Sequence, residues 1–436
     1  MHIRGVTANA GEAVPLRLLQ DSVLWIFIAS GFLVLVEPSP YEILFPLLVF
    51  VFLPFGLRLT GAAAPLVVFL LLYNLGGVAS LVPYLGDDVG ERFVAISFFM
   101  ALNAVFFAAL VAEETVRHLR TIRGAWIMAA LLASVAAILG YFDVAGTAAT
   151  FAPIGRAQGT FKDPNVYATF LAAPIVFLVQ SLMTGTARRW LLSTAALLVL
   201  LAGLFLSFSR GGWGVAAGSV FVMAGLTFIT TPDFRLRSRL LISTVVGAVS
   251  VVALATLGLT IEPIREIFIE RWSLHQSYDV GETGRFANQL RAVPLLLESP
   301  NGLGPQRFYL TFGSDPHNVY LNAFASYGWL GGLAYVLLIA STLTACWKIV
   351  LTPSPWRDHA IAVTAPLVLI VIQGVQIDTD HWRHFYLLLG LAFGLLSATY
   401  RRATRFETPA RASPRGRPGR QEAASPWHAS GPASPG

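Results

Sequence analysis

The run "WLLSTAALLVLLAGLFLSFSRGGWGVAAG", Trp190 to Gly218, decides how the whole chain is read. It holds one apolar stretch, then "SFSRGG", then the start of a second apolar stretch, in a chain that is 55% hydrophobic and only 12% charged. With a mean hydropathy of +0.66, that balance exceeds the apolar share of ordinary soluble domains and means a protein that crosses a membrane several times. An arginine between two such stretches belongs at the rim of the bilayer, because a charge at its centre is costly.

Windows of about 17 to 25 apolar residues mark about twelve transmembrane helices. They centre near Phe27, Leu48, Leu70, Phe99, Leu131, Ile175, Leu198, Phe221, Val249, Leu337, Val368 and Leu389. The expected fold is therefore all-α and polytopic. The first run begins near Val23 behind Arg4 and Arg17 and lacks a small-residue cleavage site, so it reads as a retained anchor. The lone cysteine, Cys346, excludes an internal disulfide.

Alternate connections carry "GLRLTG", "VRHLRTIR", "TARR", "DFRLRSR", "PWRDH" and "RRATRF", the basic set expected in the cytoplasm. The connections between them, such as "EPSPYE" and "PYLGDDVGE", are acidic. Both termini are then cytoplasmic. Residues 1–22 form an N-terminal segment, 23–400 the membrane domain, and 401–436 a tail whose Pro, Ser, Gly and Arg content predicts disorder. A large periplasmic loop, 260–316, separates helices nine and ten, and its length exceeds that of a plain connector.

Positive residues on the outer side run against the orientation rule. They are Arg156, Lys162, Arg210, Arg265, Arg271, Arg285, Arg291, Arg307 and Arg383. Arginine suits phosphate, since its planar fork donates parallel hydrogen bonds and stays charged. Three helix mouths on that side add backbone N–H groups and the positive end of a dipole. One is "GTFKDPN", with Asp163 as cap and Pro164 at the first helical position; the second is "SRGGW", capped by Ser209. The third, "SDPHN", repeats the first syntax through Asp315, Pro316, His317 and Asn318. Together they could form an anion site if the fold brings them together. In the large loop, Phe286, Leu290, Val293 and Leu297 give one helix face an apolar stripe that suits the membrane or the bundle, and Pro294 predicts a kink or an early end. Arg285 falls in the first turn behind a possible Thr283 cap, and His317 is the one histidine at a helix mouth.

These residues together resemble the O-antigen ligase and O-antigen polymerase superfamily. The resemblance rests on "GTFKDPNVYATFLAAP", "SFSRGGW", "TGRFANQLRAVPLLLESPNGLGPQRF" and "DPHNVYLNAFASYGWLGGLAYV", in that order, across Gly155 to Tyr335. It implies a bacterial inner-membrane glycosyltransferase, with its active site facing the periplasm, that uses an undecaprenyl-diphosphate-linked glycan. It further implies that Arg210 and Arg285 bind the diphosphate and that His317 is the catalytic residue activating an acceptor hydroxyl. Lys162, Asn165 and Asn318 stand beside these as further substrate-binding candidates. The expected partners are the lipid-linked glycan, an acceptor glycolipid or glycan, and membrane lipids, with no nucleic acid.

The chemistry agrees with that pattern. When a hydroxyl attacks the anomeric carbon, the departing diphosphate gains negative charge, and fixed arginines stabilise that state most. A neutral histidine takes the proton. This scheme calls for no cofactor and no metal, and inverts the anomeric centre. Two rivals remain open at this point: a polymerase of the same family, acting on O-antigen or exopolysaccharide, and an anion transporter using the same basic face.

Overall fold

The computed structural model describes residues 10–184, 187–232, 234–272 and 284–407. Among the described residues the regular structure is helical, with no strand. The first half comprises α1 (Ala10–Ser30), α2 (Pro40–Phe52), α3 (Ala64–Leu81), α4 (Asp88–Glu113), α5 (Thr115–Tyr141), α6 (Ala148–Phe151), α7 (Pro164–Phe170) and α8 (Ala172–Thr184). The run that opened the reading is α9 (Ala187–Leu206) and α10 (Arg210–Thr230), followed by α11 (Phe234–Gly258). The large loop contributes α12 (Glu262–Trp272), α13 (Arg285–Leu297) and α14 (Phe308–Phe312). The chain closes with α15 (Val319–Leu351), α16 (Arg357–Gln373) and α17 (Arg383–Glu407).

Each of the twelve expected centres falls within a different helix of this set. Six stretches are long and apolar enough to cross a membrane by length and composition: Gly61–Tyr84, Asp88–Glu113, Thr115–Tyr141, Pro164–Met183, Arg210–Thr230 and Val319–Leu351. Pro40–Phe52 and Trp190–Leu206 are apolar but shorter. The first helix begins at Ala10, well before Val23, because its polar opening turns have partners: Arg117 donates to Asp21 at 3.0 Å and Arg17 pairs with Glu114. Thr283, His275 and the tail beyond Glu407 lie outside the described residues.

The connections sort to the two ends of α4, whose 26 residues span roughly 39 Å at 1.5 Å per residue. At the Glu113 end, Arg401 pairs with Glu113, Arg123 donates to Gln180 at 2.8 Å, and Gln180 donates to the Asp358 carbonyl at 2.8 Å. Thr60 donates to Ser397 at that end too, at 2.7 Å. Four of the six basic connections read from sequence thus lie at one end. At the Asp87 end, Arg307 pairs with Asp87 at 3.0 Å and the Val34 N–H donates to the Thr160 carbonyl at 3.1 Å.

Packing is closest where α15 lies along α3 and where α17 lies along α4. Tyr73 of α3 stacks on Tyr327 of α15 with ring centroids 4.2 Å apart. The long helix α15 is broken at Gly328, whose φ of 65° and ψ of −170° suit glycine alone. The break frees backbone groups that must find partners. The loop before it supplies them: Trp329 N–H donates to the Pro300 carbonyl at 2.8 Å, and Leu303 N–H to the Ala325 carbonyl at 2.7 Å. The turn "SPNGLG" is thereby locked into the bundle, and it anchors the far side of the large loop.

Candidate functional site

Two of the three helix mouths meet directly. Asp163 caps α7 as the sequence predicts, accepting from Asn165 N–H at 2.6 Å and Val166 N–H at 3.2 Å. Ser209 caps α10, accepting from Gly212 N–H at 3.1 Å. The Ser209 hydroxyl also donates to the Asn165 side-chain oxygen at 2.8 Å, so one hydrogen bond ties the two mouths together. Arg156, buried, completes the junction by donating to the Ser207 carbonyl at 2.9 Å and to Asn165 at 3.2 Å. The glycines of "SRGG" allow this approach. A Cβ on Gly212 would stand 2.3 Å from Ala168 Cβ, and one on Gly211 would stand 2.8 Å from Gln373 Nε2. Arg210 is the first residue of α10 and half-buried.

The third mouth departs from expectation. Helix α15 starts at Val319, and its cap is Asn318, whose side-chain oxygen accepts from Tyr320 N–H at 3.1 Å and Leu321 N–H at 3.2 Å. Asp315 is therefore not the cap and Pro316 does not open the helix. His317 adopts a left-handed φ of 46°, a conformation that costs a side-chain-bearing residue roughly 1–2 kcal/mol. Asp378 explains the shift: its two carboxyl oxygens accept from His317 N–H at 3.0 Å and Asn318 N–H at 3.1 Å. The next N–H, that of Val319, donates to the Gly374 carbonyl at 2.8 Å. Three successive amides are thus held by the connection between α16 and α17.

That connection gathers the remaining pieces. Arg285, the first residue of α13, lies within 3.4 Å of the Gln376 carbonyl and has its guanidinium 4.9 Å from the Phe286 ring centre. The cap of α13 is Gly284. Gln289 of the same helix donates to the Pro316 carbonyl at 2.8 Å, docking α13 on the His317 turn. Thr169 of α7 donates to Gln373 at 3.1 Å. Arg285 and His317 are consequently hydrogen-bonded to one short stretch, residues 373–378, and Gly211, the neighbour of Arg210, lies close to Gln373 at its start. Helix α13 runs on to Leu297 with Pro294 inside it, so the expected early end does not occur. Its bundle-facing side is Asn288, Ala292 and Leu296, while Phe286, Leu290, Val293 and Leu297 are exposed.

A family model described as O-antigen ligase matches residues 195–336. Over those residues the chain is similar to the O-antigen ligase family. No curated protein matches it. The matched segment contains Arg210, Arg285, His317 and Asn318. It excludes Arg156, Lys162, Asn165 and the 373–378 stretch, so the structure ties the matched segment to residues on both sides of it.

The lower-ranked candidates have structural employment. Lys162 is exposed and pairs with Glu37, and its hydrogen bond holds that carboxyl below the usual range. Asn165 and Asn318 spend their side-chain oxygens on the junction and on the cap. What the sequence reading passed over is the carboxylate set. Asp315, Asp378 and Asp380 line one cavity although they come from two distant connections. Among the described residues, no three His, Cys, Asp or Glu side chains are grouped as a metal ion requires. Burial, helped by Asp380 and Asp315, pushes the Asp378 carboxyl up to about 8 against the pull of the two amides. The only local signal was the "DTDH" spelling at 378–381, which looks like ordinary acidic loop composition.

Proposed function

We propose that this chain is an O-antigen ligase-type glycosyltransferase, moving a glycan from undecaprenyl diphosphate to a hydroxyl of lipid A core or a similar acceptor. The observation that carries the proposal is that Arg285 and His317, both within the matched segment, are hydrogen-bonded to residues 373–378, close to which Gly211 beside Arg210 also lies. In the membrane the chain makes twelve crossings of the bacterial inner membrane, with both termini in the cytoplasm and 260–316 as the periplasmic loop. Residues 401–436 form the tail.

In this reading Arg210 and Arg285 grip the diphosphate, and the helix mouth behind Arg210 adds its dipole. The acceptor oxygen attacks the anomeric carbon while the bond from that carbon to the phosphate oxygen breaks. The bonding pair leaves with the diphosphate, whose growing charge the arginines stabilise. The hydroxyl proton passes to the His317 imidazole. The anomeric configuration inverts, and the positive charge the step needs comes from protein alone.

Reconstitution with a lipid-linked glycan and an acceptor lipid tests the proposal. Wild type is expected to transfer glycan, and Arg210→Ala or Arg285→Ala to lose at least about a hundredfold in rate. A deletion strain distinguishes the family's two activities. Bare lipopolysaccharide core indicates the ligase, whereas core bearing a single repeat indicates a polymerase and overturns the ligase assignment.

A further inference from the structure

At the Glu113 end of α4, opposite the candidate site, a cavity of about 730 Å³ opens between the start of α3, the last turns of α15 and the end of α17. Two wall residues fix its level: Arg401 pairs with Glu113, and Thr60 donates to Ser397 at 2.7 Å. On the topology proposed above this is the cytoplasmic rim of the bilayer. The size falls in the range of about 300–1,000 Å³ typical of ligand sites. Its α15 wall, Ser341 to Lys348, runs roughly 10 Å along the helix axis, and its α17 wall, Phe393 to Arg401, roughly 12 Å. The cavity is therefore a groove that follows the helices inward.

Polarity changes along that groove. On the bilayer side its accessible wall is Ala62, Pro65 and Thr344, with Phe393 and Leu396 buried beneath them. The Thr344 hydroxyl donates to the Ala340 carbonyl at 2.8 Å and the Ser341 hydroxyl to the Leu338 carbonyl at 2.8 Å, so both are spent on their own helix. At the aqueous end stand Lys348, Tyr400 and Arg401. Arg401 is held by Glu113. Lys348 is exposed, and its ammonium donates to the Tyr400 hydroxyl at 3.3 Å but has no ion-pair partner among the described residues. An ammonium carries three donors. No aspartate or glutamate is among the described residues that line the groove, so its charge is positive. A lysine suits any helix C-terminus; the carbon-walled groove leading away from Lys348 is what sets this one apart. Trp347, 64% exposed beside it, and Tyr400, 45% exposed, are residue types that sit at headgroup depth. The occupant needs an anionic head at the aqueous end and a hydrocarbon chain running inward. The chain's own tail after Glu407 offers neither, since it carries Arg411, Arg415, Arg417 and Arg420 against Glu422 alone and is poor in apolar residues.

We propose that the groove between α3, α15 and α17 binds one anionic phospholipid of the cytoplasmic leaflet, with its phosphate on Lys348 and an acyl chain along Pro65 and Thr344. The lipid joins the closely packed α3 and α15 to α17, so its binding stabilises the bundle. The assignment is independent of the transferase reading, and the proposed topology enters only in naming the leaflet. Full-length protein, delipidated in a neutral detergent, is titrated with phosphatidylglycerol, phosphatidylcholine or sn-glycerol 3-phosphate. Native mass spectrometry reads bound lipid, and thermal unfolding reads stability. One phosphatidylglycerol is expected to bind about fivefold more tightly than phosphatidylcholine and to raise the melting temperature. Glycerol phosphate, a similar anion without the chains, should do neither. Lys348→Ala should weaken phosphatidylglycerol about fivefold and Lys348→Glu roughly thirtyfold, while Lys348→Arg stays within about twofold of wild type. Gly61→Leu plugs the groove. A Cβ at Gly61 meets nothing within 4 Å, so this variant should fold and lose the lipid by about tenfold or more. Arg120→Ala, at an exposed basic residue of the same end but outside the groove, should leave binding unchanged. Equal binding of the two phospholipids by wild type overturns the proposal. So does phosphatidylglycerol binding that either Lys348→Glu or Gly61→Leu leaves at wild-type strength, which is the behaviour of lipid with no particular seat. Stabilisation by glycerol phosphate equal to that by the lipid would make the groove a plain anion site and overturn it too.

Discussion

Asp163-Pro164-Asn165 and Asp315-Pro316-His317-Asn318 differ in spelling by one inserted histidine, yet they build their helix mouths in different ways. The first obeys local rules: the aspartate caps, the proline opens the helix, and the asparagine reaches across to Ser209. The second is governed from a distance. Asp378, some sixty residues onward, takes the amides of His317 and Asn318, forces a left-handed turn at the histidine, and moves the cap to Asn318. A self-sufficient mouth provides a fixed dipole. A mouth held from outside provides a side chain in a set position, which is what a catalytic base requires.

The sharpest way to separate strain from chemistry is His317→Gly. Glycine accepts φ of 46° at no steric cost, so the variant should melt later by roughly 1 kcal/mol, while glycan transfer falls by about a hundredfold or more with the loss of the base. Retained transfer in that variant would reduce the left-handed histidine to a turn residue. Next in size is a pH effect at the second mouth. Because the Asp378 carboxyl is raised from 3.8 to about 8, the folded protein keeps a proton that the unfolded chain gives up. The stability this contributes is complete below pH 3.8 and is lost as pH rises through about 8. Melting of nanodisc-embedded protein should therefore occur at lower temperature as pH climbs across that window, and Asp378→Asn should flatten the trend. At the first mouth Asp163→Ala should cost about 1 kcal/mol, the ordinary value of a cap, read as a lower melting temperature of the nanodisc-embedded protein. Smallest of all, Lys162→Ala removes an exposed ion pair with Glu37 and should change stability by no more than about 1 kcal/mol.

Much of this arrangement was legible in the residues. The apolar runs fell within the helices, and four of the six basic connections lie at one end of α4. Ser209 and Asp163 capped as their types require. The rest was hidden because it depends on encounters between distant segments. Nothing near Asp315 announces that its capping role passes to Asn318; that follows from Asp378, which is remote in sequence. The apolar stripe of α13 was visible as periodicity, but periodicity does not say which face docks, and here Asn288, Ala292 and Leu296 turn inward instead. The break at Gly328 leaves the hydropathy of α15 uninterrupted, so only the inserted loop reveals it.

The central claim is that residues 373–378 organise the transfer site by holding the His317 turn. It is tested most directly by measuring glycan transfer in reconstituted Asp378→Ala and Asp163→Ala, each normalised to folded protein by size-exclusion chromatography. Loss of both amide contacts at the second mouth should misplace the histidine and lower the rate about a hundredfold, while the Asp163 variant keeps most of its activity. Equal rates in the two variants, or wild-type transfer by Asp378→Ala, would contradict it.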